Sequence, residues 1–369
     1  MPISLDRVQP FAETPPGQPL HFTGRAGEYF RIWIVNVALS VLTLGIYGAW
    51  AKVRTRQYFY GHTWLDGHNF AYSANPVAIL KGHLIVGSLF ALYAGSQYIG
   101  QSVDERFSWL AFGLVGLFFV LLPYLINKSL RFLAANSLYR GLRFRFHGTL
   151  GGAYRVYLAW LLLVPPTLGL IFPYVVSLQR RYQFDQAAYG TARSRFTGES
   201  GPVYLIYLAS IGITFAGYLV MGVVLMAVLL PSIMLSGGHR AEPGTGLMLG
   251  LMVPLYALYL LLGAGIHQGV RAALLNYSLQ HTSLEGGVTF RSSVNPWLFG
   301  WIALSNLALQ VLSLGLATPW AAVRRARYLT SNIAVVAPDG LEGFSADAST
   351  QVSALGESAT EMFGIEIGL

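Results

Sequence analysis

Seven stretches of the chain are apolar for long enough to reach across a hydrocarbon core, which takes about 20 residues: 30–50, 77–99, 108–126, 156–177, 203–230, 247–266 and 297–320. Three of them carry a helix-weakening triplet near the middle: Thr43-Leu44-Gly45, Thr167-Leu168-Gly169 and Ser313-Leu314-Gly315. Aligned on these glycines without gaps, the three agree over a long distance. An aromatic follows five residues on (Trp50, Tyr174, Trp320), and a tyrosine thirteen on (Tyr58, Tyr182, Tyr328). A basic cluster precedes each tyrosine: Lys52, Arg54 and Arg56; Arg180 and Arg181; Arg324, Arg325 and Arg327. From Arg31 to Gly45 is 14 residues, about 21 Å of helix, so one arm reaches only the middle of a core about 30 Å thick. Glycine, with Pro165-Pro166 in the second copy and Pro319 in the third, supplies the helix-breaking chemistry of a reversal. The expectation is three equivalent broken or re-entrant elements, with kinked full crossings as the alternative.

The polar segments between the apolar runs alternate in the manner of short strands around tight turns. They fall at 62–72, 136–146, 187–196, 283–290 and 334–344, and the first two align without gaps, pairing Gly67 with Gly141. Isolated hairpins are marginal in water, so these are expected to pack together or lie on headgroups.

Composition then fixes the class. Hydrophobic residues make up 54% and charged residues 11% of the chain, at a mean hydropathy of +0.51, against about 25% charged in ordinary soluble domains. The expected fold is an all-α polytopic membrane protein of four to seven membrane helices, with three broken or re-entrant elements and small cytoplasmic β-hairpins. Its parts are a flexible leader (1–18), a membrane domain (19–344) with repeats at about 19–76, 143–200 and 287–344, and a polar, disordered tail (345–369). The leader shows no cleavage site, so the N-terminus is expected in the cytoplasm.

Charge chooses among topologies. Seven crossings with the N-terminus inside leave 10 of the 24 basic residues inside and 14 outside, against the positive-inside rule. If the three triplet elements enter and leave by one face, only Arg106 and Arg240 fall outside and 22 of 24 lie inside. The net charge of +8 thus reports orientation and anionic lipid rather than nucleic acid.

The Phe22-Thr23-Gly24 motif, the run TLGIYGAWAKVRTRQYFYGHTWLDGHNFAYSANP (43–76) and NSLYRGLRFRFHG (136–148) resemble the YjgN-like family of bacterial inner-membrane proteins, which is defined by a domain of unknown function (898). The resemblance spans roughly residues 19–344; the third copy departs from it with Ser313 for threonine and Ala326 in the basic run. It implies a multi-pass inner-membrane location and supplies no activity or catalytic residue.

Candidate chemistry is sparse. The sequence lacks H-E-x-x-H, a Walker loop and G-x-S-x-G, has no cysteine, and carries no Asp or Glu inside an apolar stretch, which disfavours proton-coupled carriers. No enzyme, metal or cofactor is expected. A break at membrane depth frees backbone groups that are tolerated only in protein or at a cavity, and a helix N-terminus there favours an anion. Thr43, Gly45, Trp50, Thr167, Gly169, Tyr174, Ser313, Gly315 and Trp320 are therefore the hinge or cavity candidates. Lys52, Arg54, Arg56, Arg180, Arg181, Arg324, Arg325 and Arg327 are the anionic-headgroup candidates. The alternative places the aromatics at the interface and the arginines as lipid anchors. Two functions follow: a transporter or channel for a small anionic solute or lipid headgroup, or a non-transporting envelope scaffold with a protein partner.

Overall fold

A computed structural model describes residues 17–235, 245–338 and 340–341; the expected tail lies outside these residues, as does all of the expected leader but its last two positions. Two short strands, β1 (Gln18–Pro19) and β2 (His21–Phe22), precede a first helical pair, α1 (Ala26–Leu42) and α2 (Gly48–Gly61). Then come β3 (Thr63–Leu65) and β4 (His68–Tyr72), and a long pair, α3 (Pro76–Ser102) and α4 (Arg106–Ala135). After β5 (Ser137–Tyr139) and β6 (Leu142–Phe146), α5 (Leu150–Tyr154) runs through a π turn and a 3-10 turn before α6 (Phe172–Asp185). The rest repeats the alternation: β7 (Ala187–Tyr189), β8 (Ala192–Phe196), α7 (Gly201–Leu235), α8 (Thr245–Gln280), β9 (Thr282–Leu284), β10 (Val288–Ser292), α9 (Pro296–Leu312), α10 (Thr318–Ser331) and β11 (Ile333–Val336).

The all-α expectation is overturned by one antiparallel sheet in the order β1-β11-β10-β9-β8-β7-β6-β5-β4-β3-β2. Its two ends, β1 and β2, are a single segment interrupted only by Leu20, whose N–H donates to the Ile333 carbonyl at 3.0 Å. The sheet therefore closes on itself, and closure removes the unpaired edges that each hairpin would present alone. A single apolar cluster fills its interior. Leu65, Tyr139, Tyr189, Val288, Val335 and Leu341 are buried there, with Phe70, Phe144 and Phe290 against them. The Tyr139 hydroxyl donates to the Leu65 carbonyl and the Tyr189 hydroxyl to the Tyr139 carbonyl, each at 2.9 Å.

Asp66-Gly67 and Arg140-Gly141 have positive φ at both positions (47° and 72°; 46° and 80°), the type I′ geometry that matches strand twist. Four of the five expected hairpins form. Of the fifth, 334–344, residues 339 and 342–344 lie outside the described residues, and β11 pairs with β10 and β1. Because successive strands are antiparallel, the tight turns lie at one rim and every helical pair leaves and re-enters at the other.

Among the described residues, four helices are long and apolar enough to cross a membrane: Pro76–Ser102, Arg106–Ala135, Gly201–Ala227 and Val253–Gln280. They belong to α3, α4, α7 and α8, the crossings that the charge count selects. The three remaining pairs are shorter, 17 and 14 residues in both α1/α2 and α9/α10.

Candidate functional site

At the tip of each short pair the backbone reverses in the same way. Leu44, Leu168 and Leu314 take φ of 50°, 50° and 51°, followed by Gly45, Gly169 and Gly315 at 90°, 82° and 89°. The glycine N–H reaches back five residues, to Ser40, Val164 and Gln310 carbonyls at 2.7, 2.9 and 2.7 Å, which satisfies carbonyls the helix end leaves open. The hydroxyls of Thr43 and Ser313 accept from the N–H of Tyr47 and Ala317, both at 2.9 Å, while Thr167 donates to the Leu163 carbonyl at 2.7 Å. These tips point outward. Leu44, Leu168 and Leu314 are 95%, 92% and 93% exposed, and a Cβ at any of the three glycines would meet nothing within 4 Å. Trp50 stacks with Tyr47, Tyr174 meets Trp160 edge-on, and Trp320 lies under Arg324. Each aromatic thus packs within its own pair, and the three tips share no wall.

The basic candidates divide by what they touch. Arg56 donates to the Tyr72 hydroxyl at 2.6 Å, Arg324 to Ser305 Oγ at 2.8 Å and Asn306 Oδ1 at 3.0 Å, and Arg327 to the Gly24 carbonyl at 3.3 Å. Arg54 lies over the Tyr47 ring at 5.7 Å, and Arg181 acts electrostatically on Tyr277. These five fasten helices or face outward. Lys52 lines a groove of about 440 Å³ between α1 and α2 with Trp33, Ser40, Thr55 and Asn36. Asn36 is 5% exposed and both its amide atoms lack a hydrogen-bond partner.

Arg180 and Arg325 differ from the rest. Arg180 and Arg271 line a cavity of about 490 Å³ between α6, α7 and α8, together with Gln179, Gln183, Tyr207 and His267. Burial pushes the Arg180 guanidinium below the ordinary arginine range, with Tyr207 opposing that shift and the Arg271 charge adding to it. Arg325 is lowered by burial and again by Arg271. Arg271, itself exposed, is therefore the common charged neighbour of the half-buried Arg180 and of Arg325. Among the described residues the ion pairs are His62 with Glu28 and Arg140 with Asp66; no carboxylate answers these three arginines. A partly desolvated cation costs free energy unless paired and hydrogen-bonded, and planar guanidinium forks suit phosphate or carboxylate.

Glycine also sets how closely α8 and α9 approach. A Cβ at Gly300 would lie 2.7 Å from the Gly265 carbonyl oxygen, and one at Gly269 3.2 Å from that of Pro296. Sequence reasoning named Arg180 and Arg325 but not Arg271 or His267. The available signal was that Arg271 is the single charged residue between 245 and 280, in the last third of α8 just past the apolar stretch 247–266. Among the described residues no three His, Asp or Glu side chains gather as a metal site.

A family model described as bacterial protein of unknown function (DUF898) matches residues 17–362, and the chain belongs to that family. It is 27% identical over 352 residues to the inner membrane protein YjgN of Salmonella typhimurium, covering 86% of this chain and 88% of that protein. With the inner membrane protein YjgN of Escherichia coli K12 it is 29% identical over 157 residues, 42% of this chain and 38% of that one. No solved structure matches it. The chain is thus a bacterial inner-membrane protein.

Proposed function

We propose that this member of the DUF898 family is a multi-pass protein that takes up an anionic group, from a small solute or a lipid, in the cavity of Arg180 and Arg271, and acts as a carrier rather than an enzyme. The observation that carries the reading is that Arg180 and Arg271 line one cavity, that the Arg271 charge acts on both Arg180 and Arg325, and that no carboxylate pairs with any of the three among the described residues. The packed interior of the closed sheet argues against an open channel along its axis. For orientation, the segments joining the paired long helices hold or adjoin Arg106 and Arg240 by sequence position, which leaves 22 of 24 basic residues on the sheet side. That asymmetry supports a cytoplasmic sheet and N-terminus, with α3, α4, α7 and α8 crossing and the three short pairs, read as copies of one element, re-entrant.

The test is calorimetric titration of the purified protein with inorganic phosphate. A hydrogen bond to a charged group contributes about 1.5–3 kcal/mol, so Arg180→Gln and Arg271→Gln should each weaken binding about 10- to 100-fold. Equal affinity in wild type and both variants would remove the site.

A second reading, a scaffold for an acidic partner, has one observation in its favour. Arg143, Arg145, Arg193, Arg195 and Arg291 are all exposed on β6, β8 and β10. Crosslinked capture of one stoichiometric partner, lost with Arg143→Glu, is its test.

A further inference from the structure

A second cavity, of about 470 Å³, lies between α7, α8 and α9 and is walled by apolar and aromatic side chains, including Tyr218, Met221, Tyr259, Leu262, Trp297 and Trp301. It adjoins the arginine cavity across α7 and α8. Ser210, Thr214, Gly263, Ile266 and Val270 line both, so the shared wall of α7 and α8 has a cationic end and an apolar end. The hydroxyls on that wall are already committed: Ser210 donates to the Tyr207 carbonyl and Thr214 to the Ser210 carbonyl, both at 2.7 Å. Both hydroxyls thus spend their protons on the α7 backbone. Trp297 and Trp301 are 69% and 61% exposed, which puts aromatic rings at the outer lip of this groove.

A small hydrated anion needs only the first cavity. A molecule with an anionic head and an alkyl tail uses both, and a protein of a bilayer is surrounded by such molecules. We infer that the ligand is an anionic glycerophospholipid or its lysolipid, with its phosphate held by Arg180 and Arg271 and one acyl chain along α7 and α8 toward Trp297 and Trp301. This rests on the anion reading above and adds the tail. The geometry makes the head site specific for charge and the groove selective for chain length, because each methylene buried contributes about 0.8 kcal/mol, roughly fourfold in affinity.

The two parts separate with inorganic phosphate and a series of alkyl phosphates (ethyl, butyl, hexyl, octyl), measured on the protein in phosphatidylcholine nanodiscs. Gly217 lines the groove and a Cβ there would meet nothing within 4 Å, so Gly217→Leu directs bulk into the groove from an open position and serves as the internal reference for partitioning into the disc. The expected result is wild-type affinity that rises severalfold with each two-carbon step relative to Gly217→Leu, and falls at least tenfold across the series in Arg271→Gln. A wild-type series parallel to that of Gly217→Leu, with phosphate binding still lost in Arg271→Gln, overturns the lipid inference and leaves the anion site standing. A chain-length gain that survives unchanged in Arg271→Gln overturns the anion site itself.

Discussion

Closure of the sheet through residues 18–22 makes a sharp prediction, because it brings together positions more than 300 residues apart in the chain. Pro19 pairs with Ala334 across β1 and β11, and the chain contains no cysteine, so the double variant Pro19→Cys/Ala334→Cys has one thiol pair in a blank background. Partners in an antiparallel ladder have Cα atoms about 4.5–5.5 Å apart, inside the range a disulfide spans. The crosslink closes a loop of about 315 residues, and the chain-entropy relation puts its stabilisation at up to about 6 kcal/mol, an upper bound that native-state strain reduces. The assay is mild oxidation of the purified protein, with non-reducing gel mobility and peptide mass as readouts and resistance to SDS denaturation as the energetic measure. Ala71→Cys/Leu138→Cys, a β4–β5 pair, is the positive control. Efficient control crosslinking with no 19–334 crosslink would refute ring closure.

Three further outcomes are expected. A reporter fused after Tyr60 should register in the cytoplasm and one fused after Asp104 in the periplasm; a periplasmic signal after Tyr60 contradicts the re-entrant assignment. Asn127 is 2% exposed and its amide donates to the Gly148 carbonyl at 2.8 Å and to the Tyr182 hydroxyl, so Asn127→Leu should cost about 2 kcal/mol, read as a lower SDS midpoint. Burial chiefly raises the Tyr189 phenol from 10.0 to about 12, so its contribution is complete below pH 10 and lost as pH rises to about 12, up to about 2–3 kcal/mol. Stability of the wild type should fall over that window and that of Tyr189→Phe should fall less; parallel curves would contradict the assignment.

Much of this architecture was legible locally. Glycines at 45, 169 and 315 sit where φ is positive and few other residues fit, so a repeated Thr-Leu-Gly or Ser-Leu-Gly marked the reversals. Asp66-Gly67 marked a hairpin for the same reason. What stayed hidden is non-local. Nothing in residues 334–344 says that β11 will pair with β1, and a hairpin's composition is the same whether it lies alone or in a ring. The candidate cavity was half legible: Arg180 stands in a basic cluster of the sequence, whereas Arg271 is a single charge just past the apolar stretch 247–266 and resembles an anchor until the packing of α6 against α8 brings both to one cavity. The tips, chosen for their broken backbone, make backbone hydrogen bonds within their own turns.

The most direct test of the central claim is an experimental density map of the protein in nanodiscs that contain phosphatidylglycerol. The account predicts phosphate density within hydrogen-bond reach of both Arg180 and Arg271, with a tail leading toward Trp297 and Trp301. A carboxylate of the protein itself on those two arginines, or a cavity filled by side chains, would contradict it.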